Sequence, residues 1–370
     1  MPDNPIYIPY VNLGAQWQED REELLPIIDN LFSRGHYVGG PEIDEFEEEI
    51  ANHCQVEYAV ALNSGTDALT LALHLLSVGR GDEVITPPNS FIASTAVIMH
   101  LGALPVFVDV LPDQNMDPDK IEASISDNTK AIMPVHFAGR VCDMDPIVEI
   151  ANKHGLKVVE DAAQAVGSTY KSKPSGSMGD IGCFSTHPLK NLNACGDGGF
   201  LVTNDENYYS RAKSLRNHGK ADRDIVNSFG YVSRMDNLQA TILNYRLNKL
   251  DQTIEKRRKN AQYYFECIDT KNAILPLEKN YEFNTYHTFV IQVEKRNELK
   301  DFLLTQGIET AIHYPTPIHL QPAAERLGYK LGDFPVTEKQ AEMILTLPIN
   351  GSLSKVDLER ISATINVFFN

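Results

Sequence analysis

Apolar residues fall along this chain in two alternating rhythms. Short uninterrupted apolar runs read as buried strands, and stretches with apolar positions three or four apart read as helices. Leu24, Leu25, Ile28 and Leu31 follow an extended opening and mark a first helix. After the break at Gly39-Gly40-Pro41, Ile43, Phe46 and Ile50 mark a second. Then comes a strand from Tyr58 to Leu62, a turn at Asn63–Asp67 and a strongly apolar helix from Ala68 to Leu76. Further strands are expected at Glu83–Thr86, Pro105–Val110, Ala131–Val135 and Lys157–Asp161. Helices are expected at Ser94–Met99, Ile121–Ile125 and Met144–His154. Strands that are apolar throughout, alternating with helices, predict a mainly parallel sheet buried on both faces.

Gly182–Ser185 and Gly199–Thr203 lie too close for a crossover helix and read as a locally antiparallel pair in a mixed sheet. A helix over 205–218 precedes a polar, glycine-bearing loop over 219–233, expected to be mobile. Long helices then run from Met235 to Cys267, with Leu238, Ile242, Leu247 and Leu250 as their stripe. From about 250 the rhythm changes. Strands at Tyr286–Val293 and Thr310–Tyr314, helices at 296–306 and around 337–344, a strand-like Leu345–Ile349 and a final helix at 354–368 describe a smaller α+β unit. The expected organisation is a large α/β domain over 1–250 and a smaller domain over 251–370.

Composition narrows the partners. The 370 residues are 42% apolar and 22% charged, ordinary for a globular domain. No apolar run is long enough to span a membrane, and the first residues do not read as a secretory signal. Five scattered cysteines without CxxC spacing argue against a disulfide framework or a zinc site, so a reducing cytoplasmic setting is expected. A net charge of −17 disfavours nucleic acid and anionic membrane. It leaves room for a small anionic ligand held by backbone amides and a few cations.

In parallel sheets, ligands sit beyond the carboxyl ends of the strands. Ser64–Thr66, Asp109, His136 and Asp161 all fall at such ends. Ser64-Gly65-Thr66 before a helix can cradle an anion, or can equally be a plain N-cap. Asp161 could pair with a protonated pyridine nitrogen, with helix capping as its ordinary alternative. Lys190 could supply an amine for a Schiff base, though most lone lysines are solvated surface groups. Ser185 offers a hydroxyl to a phosphate, and Gln164 an amide beside a ring hydroxyl. Together these residues outline a pyridoxal phosphate site.

The stretch VVEDAAQAVGSTYKSKPSGSMGDIGCFSTHPLKNLNACGDGGFLVTND closely resembles the DegT/DnrJ/StrS group of sugar aminotransferases. The likeness runs from GPEIDEFEEEIA through NSGTDAL, GDEVITPPNSFIAS, GALPVFVDV and SRMDNLQATIL to HYPTPIHLQPA. The resemblance implies a fold-type I, pyridoxal phosphate-dependent transferase that aminates a keto group on a nucleotide-linked sugar, commonly as a homodimer with shared sites and with glutamate as amino donor. By the same resemblance, Lys190 is the Schiff-base lysine and Asp161 the partner of the pyridine nitrogen, with Gln164 beside the ring hydroxyl. Gly65, Thr66 and Ser185 hold the phosphate, and Phe91 stacks on the ring. His313 and Tyr314 line the sugar pocket, and Arg234 is lent to the neighbouring subunit's site.

Two departures stand out. Val232 occupies a position where relatives often carry an asparagine that reaches the cofactor phosphate across the dimer, and Thr186 replaces a commonly aromatic residue. Relatives that carry histidine for the lysine act as dehydratases, which Lys190 argues against. Gly196-Asp197-Gly198-Gly199 resembles members that aminate C3 of the sugar, where many C4 enzymes carry glutamate at the Asp197 position. The expected function is therefore transamination of a 3-keto nucleotide sugar. A 4-keto substrate and a non-catalytic regulator that has kept the fold are the alternatives.

Overall fold

The computed structural model describes residues 7–369 of the chain. The first six residues of the expected extended opening lie outside the described residues. The strands, in chain order, are β1 (Tyr58–Leu62), β2 (Glu83–Thr86), β3 (Leu104–Phe107), β4 (Thr129–Ile132), β5 (Lys157–Asp161), β6 (Thr169–Tyr170), β7 (Lys173–Pro174), β8 (Ile181–Ser185), β9 (Gly199–Thr203), β10 (Glu282–Phe283), β11 (Phe289–Gln292) and β12 (Ile344–Leu347). Seven of them form one sheet in the order β1-β9-β8-β5-β4-β2-β3. β8, β5, β4, β2 and β3 pair in parallel, and β9 runs antiparallel to both β8 and β1. The sheet is therefore mixed and mainly parallel, and the segment between β8 and β9 carries Lys190.

Period-two alternation divides the strand residues between two cores. Val60 and Leu62 of β1 join Leu71, Val84, Val159 and Leu201 on one face, against the helix Gly65–Leu75. Ala59 and Ala61 join Phe46, Phe184, Phe200 and Leu243 on the other. Phe184 and Phe200 are cross-strand partners whose rings stack at 4.6 Å. Burying each ring is worth about 1.5–3 kcal/mol, and such a pair adds roughly 0.5–1.5 kcal/mol.

The C-terminal part builds its own core. β11 and β12 pair antiparallel, and Phe289, Ile291, Leu299, Leu345 and Ile361 pack together. Ile8, near the other end of the chain, is buried in this core and bridges Ile308. The helix Leu250–Cys267 lies between the two cores. It serves both cores, giving Leu250 and Ile254 to the one beneath Phe200, and Ala261 and Tyr264 to the C-terminal one.

Some expectations change. Thr310–Tyr314 is not a strand. Only Ala311 finds a ladder partner, Thr346, and Pro315 and Pro317 follow at once, where ring geometry removes the donors a strand needs. Ile121–Ile125 is replaced by two 3₁₀ turns, Pro118–Lys120 and Glu122–Ser124. The long stripe through Leu238 to Leu250 breaks at Asn248–Lys249, because two helices, Asn237–Leu247 and Leu250–Cys267, meet there with different faces inward. Residues 219–233 form a loop, as expected, and local pairing closes it. Lys220 bridges Val226, Asn217 bridges Val232, and a Cβ on Gly219 would lie 1.8 Å from the Ser228 carbonyl.

Candidate active site

β5 ends on Asp161, whose backbone is held from both sides: its N–H donates to the Pro134 carbonyl, and its carbonyl accepts from His136 N–H. The residue is 4% exposed. Its Oδ2 accepts from Ser94 Oγ at 2.7 Å, and its Oδ1 from the Ala163 amide at 3.2 Å. Among the described residues it has no ion-pair partner. Burial raises its pKa above the ordinary carboxylate value, opposed by the Ser94 bond and by the charge of Lys190. A buried carboxylate without a cation is costly unless a cationic ligand arrives.

Beneath it lies a polar hub that the sequence did not announce. Glu160 is fully buried and accepts from the amides of Gly176, Met178 and Gly179 at 2.5–2.8 Å. It also meets His136 Nε2 at 2.8 Å. His136 Nδ1 accepts from Cys142 N–H, so its proton sits on Nε2 and is donated to Glu160. His136 thus braces the strand end and does not line the cavity. Asp109 is also diverted, because the first turn of the helix Pro335–Met343 claims it. The amides of Val336 and Thr337 donate to its two oxygens at 3.0 and 2.9 Å. It is a capping residue, and its place at a strand end had indicated a ligand instead.

Lys190 follows a short turn, its N–H donating to the His187 carbonyl. The side chain is half-buried and lines a cavity of about 130 Å³ together with Tyr10, Asn12, Arg257, His287 and His313. Burial lowers its amine to about 8, with Asp161 pulling the other way. His313 Nδ1 bonds Thr346 Oγ1 at 2.9 Å, and burial beside Lys190 lowers its imidazole to about 4, keeping it neutral. The phenol of Tyr314 is pushed up to about 12 by burial and by the Asp161 charge, while a hydrogen bond with Gln164 acts against this. Gln164 Oε1 also accepts from the Ala138 amide at 2.8 Å. Phe91 is 54% exposed, and its ring lies 6.0 Å from that of Tyr314.

The helix Gly65–Leu75 aims its first turn at the same region. Ser64 caps it, accepting from the Asp67 amide at 3.0 Å, and the amides of Gly65 and Thr66 have no acceptor among the described residues. A Cβ on Gly65 would lie 2.7 Å from Ser185 Cβ, so glycine lets the helix end close against β8. Among the described residues Ser185 Oγ is engaged only by the His187 amide, at 3.3 Å. This cradle of free amides and hydroxyls suits a phosphate. With the unpaired Asp161 and the amine of Lys190, the residues fit pyridoxal phosphate.

The fold therefore gathers Lys190, Asp161, Gln164, Phe91, Tyr314, His313, Ser185, Gly65 and Thr66 into one region. Arg234 stands apart. It bridges Leu62 through its backbone and donates to Asn217 Oδ1 at 3.2 Å, in a separate depression shared with Ser64, Asp67 and Asp197. Sequence reasoning missed Ser94, Tyr10, Arg257 and His287, which come from distant segments. The position of Arg257 in a buried helical stripe was the one local signal.

Known proteins resemble this chain over nearly its whole length. The model of the DegT/DnrJ/EryC1/StrS aminotransferase family matches residues 18–366. The pleiotropic regulatory protein of Geobacillus stearothermophilus is 37% identical over 366 residues, covering 98% of each chain. The dTDP-3-amino-3,6-dideoxy-alpha-D-galactopyranose transaminase of Aneurinibacillus thermoaerophilus is 40% identical over 363 residues, covering 97% of this chain and 99% of its own. The crystal structure of DesV from S. venezuelae, solved with a ketimine intermediate, superposes with a TM-score of 0.96 at 37% identity over 99% of both chains. Matched in sequence over nearly its whole length and in fold to within this score, the chain belongs to the DegT/DnrJ/EryC1/StrS aminotransferase family.

Proposed function

We propose that this protein is a pyridoxal phosphate-dependent transaminase that moves an amino group from glutamate to a keto group of a nucleotide-diphosphate-linked sugar, with the 3-keto position favoured. The observation that carries the reading is a buried Asp161 with no ion-pair partner among the described residues, lying within electrostatic reach of the Lys190 amine. When bound, pyridoxal phosphate supplies the carbonyl that carries the amino group and a ring that accepts electrons.

The residues divide the work. Asp161 holds a proton on the pyridine nitrogen, and Ser94 keeps its carboxylate aligned. Lys190 holds the group covalently through Nζ. With its amine lowered to about 8, it is free to take up and return protons near neutral pH. Gly65, Thr66 and Ser185 hold the phosphate, Gln164 meets the ring hydroxyl and Phe91 covers the ring. His313, neutral at working pH, and Tyr314 line the sugar pocket.

The active unit is proposed to be a homodimer with Arg234 reaching into the partner's site. Arg234 does not line the Lys190 cavity of its own chain. The neighbouring loop exposes apolar side chains, with Phe229 at 99% and Val232 at 58%. Val232 has no polar atom to offer a phosphate, so the first-turn amides of Gly65 and Thr66 carry that task in our reading. The 3-keto preference rests on the Asp197 motif and on the 3-amino product named for the Aneurinibacillus relative. A regulatory role is the second reading, favoured by the name of the Geobacillus relative.

The test is spectroscopic. Purified protein with bound cofactor should show a visible absorbance band that shifts when glutamate is added. Bound cofactor with no response to glutamate or any other amino donor would remove the transaminase reading in favour of the regulator. Assay with a panel of 3-keto and 4-keto nucleotide sugars then fixes the acceptor position.

A further inference from the structure

The helix Leu250–Cys267 turns one face inward, burying Leu250, Ile254, Ala261 and Tyr264, with the polar Asn260 beside them. Their spacing leaves one position on that stripe, and it is held by Arg257. An arginine in a buried stripe is costly unless its charge is used. Arg257 Nη1 donates to the carbonyls of Tyr286 and His287 at 3.3 and 3.0 Å. Its Nε is buried without a partner, Nη2 has no hydrogen bond among the described residues, and no carboxylate there pairs with it. Burial lowers the guanidinium only to about 10, so it stays cationic at neutral pH.

Arg257 lines the cavity that holds Lys190, as do Lys256, His287 and His313. The one carboxylate on that wall, Glu19, is engaged by Lys256 at 3.3 Å. Burial holds His287 and His313 neutral, so in a chain with a net charge of −17 Arg257 is the wall's unpaired cation beside the reactive lysine, among the described residues. The two carbonyl bonds use a single nitrogen, which a lysine could supply. The remaining edge of the guanidinium is the planar fork that matches an oxyanion with two parallel bonds.

We infer that Arg257 anchors an oxyanion-recognition site in the Lys190 cavity and grips a phosphoryl or carboxylate group of a substrate. The inference rests on the transaminase reading for the identity of those substrates. Two sources carry this chemistry, the diphosphate of the nucleotide sugar and the carboxylate of the amino donor. The experiment is calorimetric titration of the cofactor-loaded protein, wild type against Arg257→Gln and Arg257→Lys, with UDP and dTDP in one arm and glutarate in the other. Loss of one good charge-assisted pair weakens binding by roughly tenfold or more. Weakening by Arg257→Gln confined to the nucleotide arm assigns the diphosphate, and weakening confined to the glutarate arm assigns the donor carboxylate. In either case Arg257→Lys, which keeps the charge, should recover part of the affinity. The inference is overturned if neither arm changes by more than about twofold. It is equally overturned if both arms weaken alongside a lowered melting temperature with no recovery in Arg257→Lys, since Arg257 then only braces the Tyr286–His287 backbone. These titrations require no turnover. Absence of a glutamate-induced spectral shift in the wild type would refute the reaction while leaving Arg257-dependent binding to stand or fall by itself.

Discussion

The Ser94 hydroxyl donates to Asp161 Oδ2 across 2.7 Å, and among the described residues it is the only side chain bonded to that carboxylate. Burial raises the Asp161 pKa and Ser94 holds part of that rise back. Ser94→Ala should therefore raise it further and weaken cofactor binding by about fivefold, the worth of one hydrogen bond of about 1 kcal/mol. Fluorescence titration of cofactor into the stripped variant checks this; unchanged affinity would dismiss Ser94 as a contributor.

Asp161 should also cost stability when no cofactor is bound. An acid whose folded pKa is raised is least costly below its unfolded value, near 3.8, and stability falls as pH rises through the folded value. Cofactor-free Asp161→Asn should melt several degrees above cofactor-free wild type at neutral pH, a gain of about 1–2 kcal/mol. The same substitution should nearly abolish activity. A variant that melts lower would contradict the account of an unpaired buried charge.

Lys190 makes a pH prediction of opposite form. Its folded value is lowered from 10.5 to about 8, so between these values the unfolded chain binds more protons than the folded one. The stability of the cofactor-free protein should rise across that window, and Lys190→Met should remove the rise. The rate at which cofactor attaches covalently should climb with a midpoint near 8, since only the free amine reacts. Stopped-flow absorbance at several pH values measures it, and a midpoint above 10 would refute the lowered amine. Lys190→Ala should reduce turnover by roughly 10²–10⁴-fold.

Gly65→Ala tests the closeness of helix and strand. The added Cβ would sit 2.7 Å from Ser185 Cβ and 3.0 Å from Ser185 Cα, and backbone there cannot yield cheaply. The helix end must back away, at a cost of about 1–3 kcal/mol, taking its amides with it. Cofactor affinity should fall more than thermal stability does; equal affinity would show the cradle is not used.

Mixing two inactive variants tests whether sites are shared. If Arg234 serves the partner's site, Lys190→Ala and Arg234→Gln subunits should regain activity when exchanged. Each mixed dimer then holds one intact site and one doubly defective site. Mixtures as inactive as their parents would place Arg234 outside the shared site.

Much of the sheet was legible in the sequence because its strands are short and apolar throughout. β1, β2, β5 and β9 lie where the apolar runs put them, as does the helix Met144–His154. Asp161 and Lys190 were legible because each closes or follows such a run. Two misreadings have a common origin. Asp109 and Thr310–Tyr314 were read from local pattern, while distant partners, the helix Pro335–Met343 and Thr346, decide what they do. Ser94 and Asp161, 67 residues apart, show the same limit from the other side. No local rhythm announces a hydroxyl that a fold will bring to a carboxylate. Glu160 was hidden for a different reason, since an acid inside a strand reads as an edge or a surface, and only the converging amides of Gly176, Met178 and Gly179 make its burial affordable.

The helix Leu250–Cys267 is rooted at one end among the residues packed under the sheet and at the other among those of the C-terminal unit, with Arg257 between the two anchorages. It is in effect a rigid spoke with the ligand's handhold at mid-span. Any tug on that handhold is felt at both ends at once, because no break in the rod can absorb it. Gripping a substrate and locking the two halves together would then be a single mechanical act. Amide exchange at Ile254 and at Tyr264 should slow together, and by similar factors, when an anionic ligand binds.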